Sequence, residues 1–154
     1  MNTVLLRHLL FVLVFVTVAL QPKAQNKKPV SLNHIALYVK DLKISTNFYQ
    51  QIIGLDTIPE PFHDGRHTWF KVGEHAHLHL IQGAKEIVDH DKNSHLCFTV
   101  NAVEDFVKGI IAARIPYEDW PGKPNAITTR VDGVKQIYFQ DPDKYWVEIN
   151  DDKY

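Results

Sequence analysis

The chain has 154 residues, 17 of them Lys or Arg and 18 Asp or Glu, so its formal net charge is −1. This length suffices for one domain with its own core, and the balanced charge gives no reason to expect a nucleic-acid partner. The single cysteine excludes an intramolecular disulfide. The nine histidines favour metal chemistry or proton transfer.

The first 28 residues are predicted to be a secretory signal peptide followed by a short linker. An apolar run at residues 9–20 follows Arg7, and it is shorter than the roughly 20 residues of a membrane-spanning helix. Such a run is typical of a signal peptide, with cleavage near Ala19 or near Ala24. We therefore expect a secreted or periplasmic protein without a stable membrane span after cleavage; the alternative is an uncleaved anchor.

The rest of the chain, residues 31–152, is predicted to be a single domain that begins with a strand and a helix. In the strand, His34, Ala36 and Tyr38 alternate with apolar residues. The following helix is predicted to begin near Asp41 and to end at Gly54, because aspartate is favoured as the N-cap of a helix and glycine at its C-terminal end. Three short strand-like runs follow, separated by Pro and Gly residues.

The same pattern then returns. A strand carries His95 near its start, as the first strand carries His34, and the next helix is predicted to begin near Asn101, with Asn101 and Glu104 as a capping box. Strand-like runs again follow this helix. The sequence therefore predicts an α+β fold of two βαβββ modules, whose strands form an eight-stranded mixed sheet or open barrel with a concave face opposite the helices.

The stretch EHAHLHLIQG, residues 74–83, places histidines at alternate positions, namely 75, 77 and 79. Alternate residues of a strand share one face, so Leu78 and Leu80 are predicted to pack on the helices while His77 and His79 face the cup. His75 adjoins the Gly73 turn and is expected to be solvated.

The last strand shows the same division, with Val147 and Ile149 facing the helix and Glu148 facing the cup. The internal symmetry would bring His34 beside His79 and His95 beside Glu148. Three imidazoles and a carboxylate are suitable ligands for a divalent transition metal. The alternative is that these histidines are hydrogen-bonded or solvated and bind no metal.

Residues 32–150 resemble the vicinal oxygen chelate superfamily, which includes glyoxalase I, methylmalonyl-CoA epimerase, fosfomycin-resistance transferases, bleomycin-resistance proteins and type I extradiol dioxygenases. The resemblance is carried by NHIALYVKDLKISTNFYQQIIGL in the first module. It is also carried by DGVKQIYFQDPDKYWVEIND in the second, with the Asp-Pro-Asp turn at residues 141–143.

This resemblance implies metal ligands on the first and last strands of each module, which here are His34, His79, His95 and Glu148. It further implies a divalent metal (Zn, Ni, Fe, Mn or Co), with Glu148 as the proton-transferring base of a lyase or isomerase acting on a small substrate with vicinal oxygens. A homodimer is also implied, in which two chains complete each other's sites or each chain closes its own.

Two other functions are compatible with the same residues. His34, His95 and Glu148 also form the two-histidine, one-carboxylate set of Fe(II) extradiol dioxygenases. A non-catalytic binding protein, like the bleomycin-resistance proteins, is the other alternative. The chain has Tyr38 and Gly83 where glyoxalase I has an arginine and an asparagine that bind glutathione, so glutathione dependence is not expected.

Further side chains are candidates for substrate contact, with core packing or a solvated surface charge as the alternative for each. They are His77, Trp69, Tyr38, Tyr138, Arg66 and Arg130. Cys97 shares a strand face with His95 and is interpreted as a small packing residue, with a soft metal ligand or reactive thiol as the alternative.

Overall fold

The computed structural model describes residues 30–153, so the predicted signal peptide, residues 1–28, lies outside the described residues. The elements are β1 (His34–Val39), α1 (Leu42–Phe48), a π-helical turn (Tyr49–Ile53), β2 (Thr57–Ile58), β3 (His67–Val72), β4 (Ala76–Gln82), β5 (His95–Thr99), α2 (Val103–Ala112), β6 (Thr128–Thr129), β7 (Lys135–Gln140) and β8 (Trp146–Asn150). No helix within this range is long and apolar enough to span a membrane.

The two predicted βαβββ modules are confirmed. Their eight strands form two four-stranded sheets, in the orders β1-β4-β3-β2 and β5-β8-β7-β6. In each module the first strand runs parallel to the last, and the other neighbours are antiparallel. β1 and β5 therefore each lie at the edge of a sheet, with one strand neighbour apiece in the described part of the chain.

The two helices begin differently. As predicted, Asp41 caps α1, and its Oδ1 accepts a hydrogen bond from the Ile44 amide at 3.0 Å. The predicted capping box of α2 is wrong, because the helix starts one residue later, with the extended Ala102 as its first flanking residue and no side-chain cap. Asn101 thus lies too early to cap, and the Glu104 carboxylate instead pairs with Lys135.

Each module packs its helix on one sheet face, and partly buried residues link the two cores. The first core consists of Leu37, Val39, Tyr49, Phe70, Leu78 and Leu80, and the second of Val103, Val107, Ile110, Tyr117, Ile137, Phe139, Val147 and Ile149. Phe48 and Phe98 contact both. Leu78 and Leu80 are buried as predicted, whereas Ile35, at the start of β1, remains 39% exposed. Core packing on one face leaves the histidines on the other.

Candidate metal site

Three rings stack in a column across the first sheet. The strand register pairs Ala36 with His79 and His79 with Trp69, so the ring residues of β1, β4 and β3 share a face. The Trp69 and His79 rings lie 4.0 Å apart and 1° from parallel, and the His79 and His34 rings lie 4.3 Å apart at 10°. This ring column of Trp69, His79 and His34 confirms the predicted proximity of the two histidines.

His79 lies at the centre of the ring column and has an unused ring nitrogen. The residue is 7% exposed, and its buried Nε2 has no hydrogen-bond partner among the described residues. Burial, with smaller contributions from the neighbouring histidines His34, His77 and His67, lowers the pKa of His79 to about 4. The imidazole is therefore neutral near pH 7, and in the tautomer with the proton on Nδ1 its Nε2 has a lone pair that can bind a metal. A buried polar atom without a partner is costly, so a ligand at Nε2 would remove that cost.

The second sheet brings His95 and Glu148 together, as predicted. The His95 Nε2 lies 3.1 Å from Glu148 Oε2, and its Nδ1 lies 2.7 Å from the Lys92 carbonyl oxygen. A carbonyl only accepts hydrogen bonds, so Nδ1 must carry a proton. In a neutral ring, Nε2 would then present a lone pair to a carboxylate oxygen. Two facing acceptors require a cation between them, either a proton or a metal ion.

Glu148 is 6% exposed and receives hydrogen bonds at both oxygens. The Tyr138 hydroxyl donates to Oε2 at 2.5 Å, and the Asn150 amide donates to Oε1 at 2.9 Å. Burial and the nearby carboxylate raise the pKa of Tyr138 well above its usual value, so the phenol keeps its proton. Donors to both oxygens stabilise the charged carboxylate and fix its plane.

Cys97 also lies at this second half, with its Sγ 3.4 Å from Glu148 Oε1. Burial, followed by the charge of Glu148, raises the pKa of the thiol to about 12. Metal binding requires the thiolate, so these surroundings disfavour Cys97 as a ligand.

The four predicted ligands form two pairs within one chain. His34 lies with His79, and His95 lies with Glu148, but within residues 30–153 no group of three or more His, Cys, Asp or Glu side chains could hold a metal ion. We call these pairs the first and second half-sites. Each supplies two ligands, fewer than the four that a tetrahedral zinc ion takes or the three of an open catalytic site.

The candidate substrate residues of the first sheet lie around the ring column. His77 shares the ring face, with its ring 6.0 Å from that of His79. His75 precedes β4, and its side chain is 79% exposed. Tyr38 is 52% exposed, and its backbone carbonyl accepts a hydrogen bond from the Tyr145 hydroxyl.

The two candidate arginines already bond protein acceptors. Arg66 donates to the Gln82 carbonyl at 3.0 Å. Arg130 pairs with Asp132 at 2.5 Å and with Asp152 at 3.1 Å. A guanidinium carries five N–H donors, so these bonds leave donors on each arginine that could contact an anionic substrate.

Two residues that contact the second half-site were not predicted. Asn150 lies two residues after Glu148 on β8 and shares its face, so strand alternation contained the signal for it. Lys92 lies in the irregular segment between β4 and β5, where no periodic pattern marks which residue approaches His95.

Known proteins of similar sequence and fold agree with this architecture. A family model described as Glyoxalase/Bleomycin resistance protein/Dioxygenase superfamily matches residues 31–149. A lactoylglutathione lyase of Pseudomonas putida is 26% identical over 152 aligned positions, covering 76% of this chain and 82% of that protein.

Two solved structures show the same fold. A glyoxalase family protein from Bacillus anthracis has a TM-score of 0.65 at 20% identity, covering 84% of this chain and 100% of the other. The fosfomycin resistance protein FosX from Listeria monocytogenes has a TM-score of 0.64 at 23% identity, covering 81% and 95%. With its family model matched over residues 31–149, the chain belongs to the glyoxalase, bleomycin resistance protein and dioxygenase superfamily.

Proposed function

We propose that this protein is a metal-dependent lyase or isomerase whose active site forms between two copies of the chain. The first half-site of one copy and the second half-site of the other would together hold one divalent ion. The observation that carries the proposal is the His79 Nε2, a neutral and buried nitrogen with no hydrogen-bond partner in residues 30–153. The facing acceptors of His95 and Glu148, 3.1 Å apart, support it from the other half-site.

The donor set fits the proposed ion. Three imidazole nitrogens and one carboxylate oxygen suit Zn, Ni, Fe, Mn or Co, whereas Mg and Ca prefer oxygen ligands alone. A second copy would supply the missing donors, because within residues 30–153 each chain brings only two of the four together. His34 is exposed in the single chain, which leaves the first half-site open to a partner.

The chemistry follows from what each group can do. A bound divalent ion supplies Lewis acidity toward two adjacent oxygens of a small substrate. Glu148 is the base that would take a proton from the substrate carbon beside those oxygens and return it elsewhere. Tyr138 and Asn150 donate to its two oxygens, so they hold the carboxylate in one orientation during the transfer.

The proposed substrate is not a glutathione adduct, although one similar protein is a lactoylglutathione lyase. A side-chain carbon added at Gly83 would lie 2.4 Å from the Tyr38 hydroxyl. The Tyr38 ring therefore fills the space that an asparagine at position 83 would need. Since both glutathione-binding positions differ, we expect a smaller substrate, met outside the cytoplasm after removal of the predicted signal peptide.

Metal analysis of protein prepared without a histidine tag tests the proposal. We expect about one divalent ion per site, bound tightly enough to survive desalting. His95→Ala should abolish binding because it removes a ligand, whereas His75→Ala should not, because His75 is solvated outside the half-sites. Equal loss of metal in both variants would instead indicate a non-specific histidine-rich surface.

Turnover is then tested with a small panel of dicarbonyl, catechol and acyl-CoA substrates on the metal-loaded protein. Isomerisation or lyase activity that is lost in Glu148→Gln would support the proposed reaction class. Ring cleavage of a catechol would favour the dioxygenase alternative. Ligand binding without conversion of any substrate would favour a binding protein.

A further inference from the structure

Three aromatic rings and a carboxylate surround the ammonium group of Lys92. Its Nζ lies 4.9 Å from the ring centre of Trp146, 5.6 Å from that of Tyr138 and 5.9 Å from that of Trp120. The same nitrogen bonds the Glu118 carboxylate. We call these four residues the ammonium cage.

The ammonium also uses its remaining donors. It bonds the backbone carbonyl of Trp120 at 3.2 Å and that of Asp119 at 3.4 Å. An ammonium group has three donors, and the carboxylate and two carbonyls provide three acceptors. This saturation argues against Lys92 as a binder of substrate anions, because such an anion would have to displace a protein partner.

The backbone of the same residue reaches the second half-site. The Lys92 carbonyl accepts the Nδ1 proton of His95 at 2.7 Å, which leaves Nε2 as the nitrogen that faces Glu148. Partners of this kind fix the tautomer and ring orientation of histidines that bind metals. Tyr138 connects the cage to the second half-site, since its ring lines the cage and its hydroxyl donates to Glu148.

We propose that Lys92 is a positioning residue of the second half-site, and that the ammonium cage fixes the carbonyl that orients His95. This inference rests on the proposed metal function. The segment between β4 and β5 has no regular secondary structure. Near Lys92 it is held by a turn, in which the Ser94 amide donates to the Asp91 carbonyl, and by the Trp146 indole, which donates to the His90 carbonyl. The Lys92 side chain adds a further anchor, which joins the segment to β7, to β8 and to the loop at 118–120.

Replacement of the ammonium group tests this role. Lys92→Met keeps a side chain of similar length but removes the charge and all three donors. We expect the affinity for Zn²⁺ or Co²⁺ to fall about 10- to 100-fold, as when other outer partners of metal-binding histidines are removed. Lys43→Met is the matched control, because Lys43 is exposed on α1, and it should bind metal like the wild type.

Chemical rescue separates occupation of the cage from anchoring of the backbone. In Lys92→Ala the covalent link between the ammonium group and the Lys92 backbone is lost. Millimolar n-propylammonium can occupy the cage but cannot hold the backbone carbonyl, so it should not restore the lost metal affinity. Lys92→Arg keeps both the positive charge and the link, and it should lose less affinity than Lys92→Met. Recovery of metal affinity with free n-propylammonium would overturn the anchoring role.

The protonation of His95 provides a readout that does not need metal. In metal-free wild type, ¹⁵N NMR should show Nδ1 protonated, and Lys92→Met should show a mixture of tautomers. Unchanged Nδ1 protonation together with unchanged metal affinity in Lys92→Met would overturn the proposal. If the wild type itself bound no metal, the proposed function would fail, and the His95 tautomer alone would decide the role of Lys92.

If Lys92→Met does not fold, a second variant still tests the proposal. Glu118→Gln keeps an acceptor for Nζ but removes its charge, so it should weaken metal binding in the same direction. Wild-type affinity in Glu118→Gln, with His95 still protonated at Nδ1, would also overturn the proposal.

Discussion

At the scale of single residues, the ring column explains how a histidine can be both buried and neutral. His79 is stacked between Trp69 and His34, which fixes the plane of its ring. The stacking faces leave the ring edge free, and that edge carries the unpartnered Nε2. Protonation of His79 would place a charge inside this apolar stack, which accounts for the low pKa.

The low pKa predicts how stability depends on pH in metal-free protein. Unfolded His79 binds a proton below about pH 6.5, whereas folded His79 binds it only near pH 4. Between these values the unfolded state holds more protons, so the free energy of unfolding falls as the pH falls. From pH 7 to pH 5 the loss due to His79 should be at most about 2 kcal/mol.

Urea denaturation at pH 7 and pH 5, with a chelator present, measures this loss. In His79→Gln the difference between the two pH values should shrink by that amount, while His75→Gln should keep the wild-type difference. The prediction fails if the two variants show the same dependence on pH.

Residue positions on strands could be predicted from sequence, but bonds between distant residues could not. Alternation within β4 was enough to place His79 opposite Leu78 and Leu80. The hydrogen bond of Tyr138 to Glu148 required the register of β7 against β8, which the sequence does not specify. The contact of Lys92 with His95 depends on the path of an irregular segment, and no residue pattern describes such a path.

At the scale of elements, the turn between β7 and β8 ties the second module to α1 of the first. Asp143 accepts hydrogen bonds from the Ser45 hydroxyl at 2.6 Å and from the Lys40 amide at 2.7 Å. Asp141 accepts one from the Tyr49 hydroxyl at 2.8 Å. Ser45 and Tyr49 are fully buried, so these aspartates satisfy polar groups that water cannot reach.

Loss of the Asp143 carboxylate should therefore destabilise the fold. Asp143→Ala leaves the Ser45 hydroxyl and the Lys40 amide without their acceptor, and we expect the free energy of unfolding to drop by about 2–3 kcal/mol. The measurement is chemical denaturation at pH 7. Asp89→Ala is the control, because Asp89 forms an exposed ion pair with Lys144 and its loss should change little. Equal stability of the two variants would show that the buried bonds do not hold the modules together.

The two helices differ in how well the sequence predicts where they start. The side chain of Asp41 directs the start of α1, because aspartate caps whichever helix follows it at the correct spacing. The first residue of α2 is Val103, which is fully buried in the second core. The helix thus starts one residue after the position that Asn101 favoured, at a residue that packs in the core.

At the scale of the whole molecule, both half-sites lie beside edge strands. β1 carries His34, β5 carries His95, and each strand ends its sheet in the described part of the chain. Exposed edges readily pair with another chain.

Internal symmetry was visible in the sequence and predicted the two pairs. It could not predict which pairs meet in one site, because pairing within a chain and pairing between chains use the same four residues.

Subunit mixing distinguishes these two arrangements. His34→Ala damages the first half-site of a chain, and Glu148→Ala damages the second. In a shared-site homodimer, each mutant alone has two damaged sites. A mixed dimer instead contains one site with both lesions and one that is intact, because a twofold axis generates two sites from one set of ligands. We therefore expect each mixed dimer to bind about half as much metal as a wild-type dimer, because it has one intact site and the wild type has two. Subunit exchange is verified with differently tagged chains, and the tags are removed before the metal is measured. Absence of recovery in verified mixed dimers would mean that each chain builds its site alone, and the proposed pairing of half-sites across the dimer would be wrong.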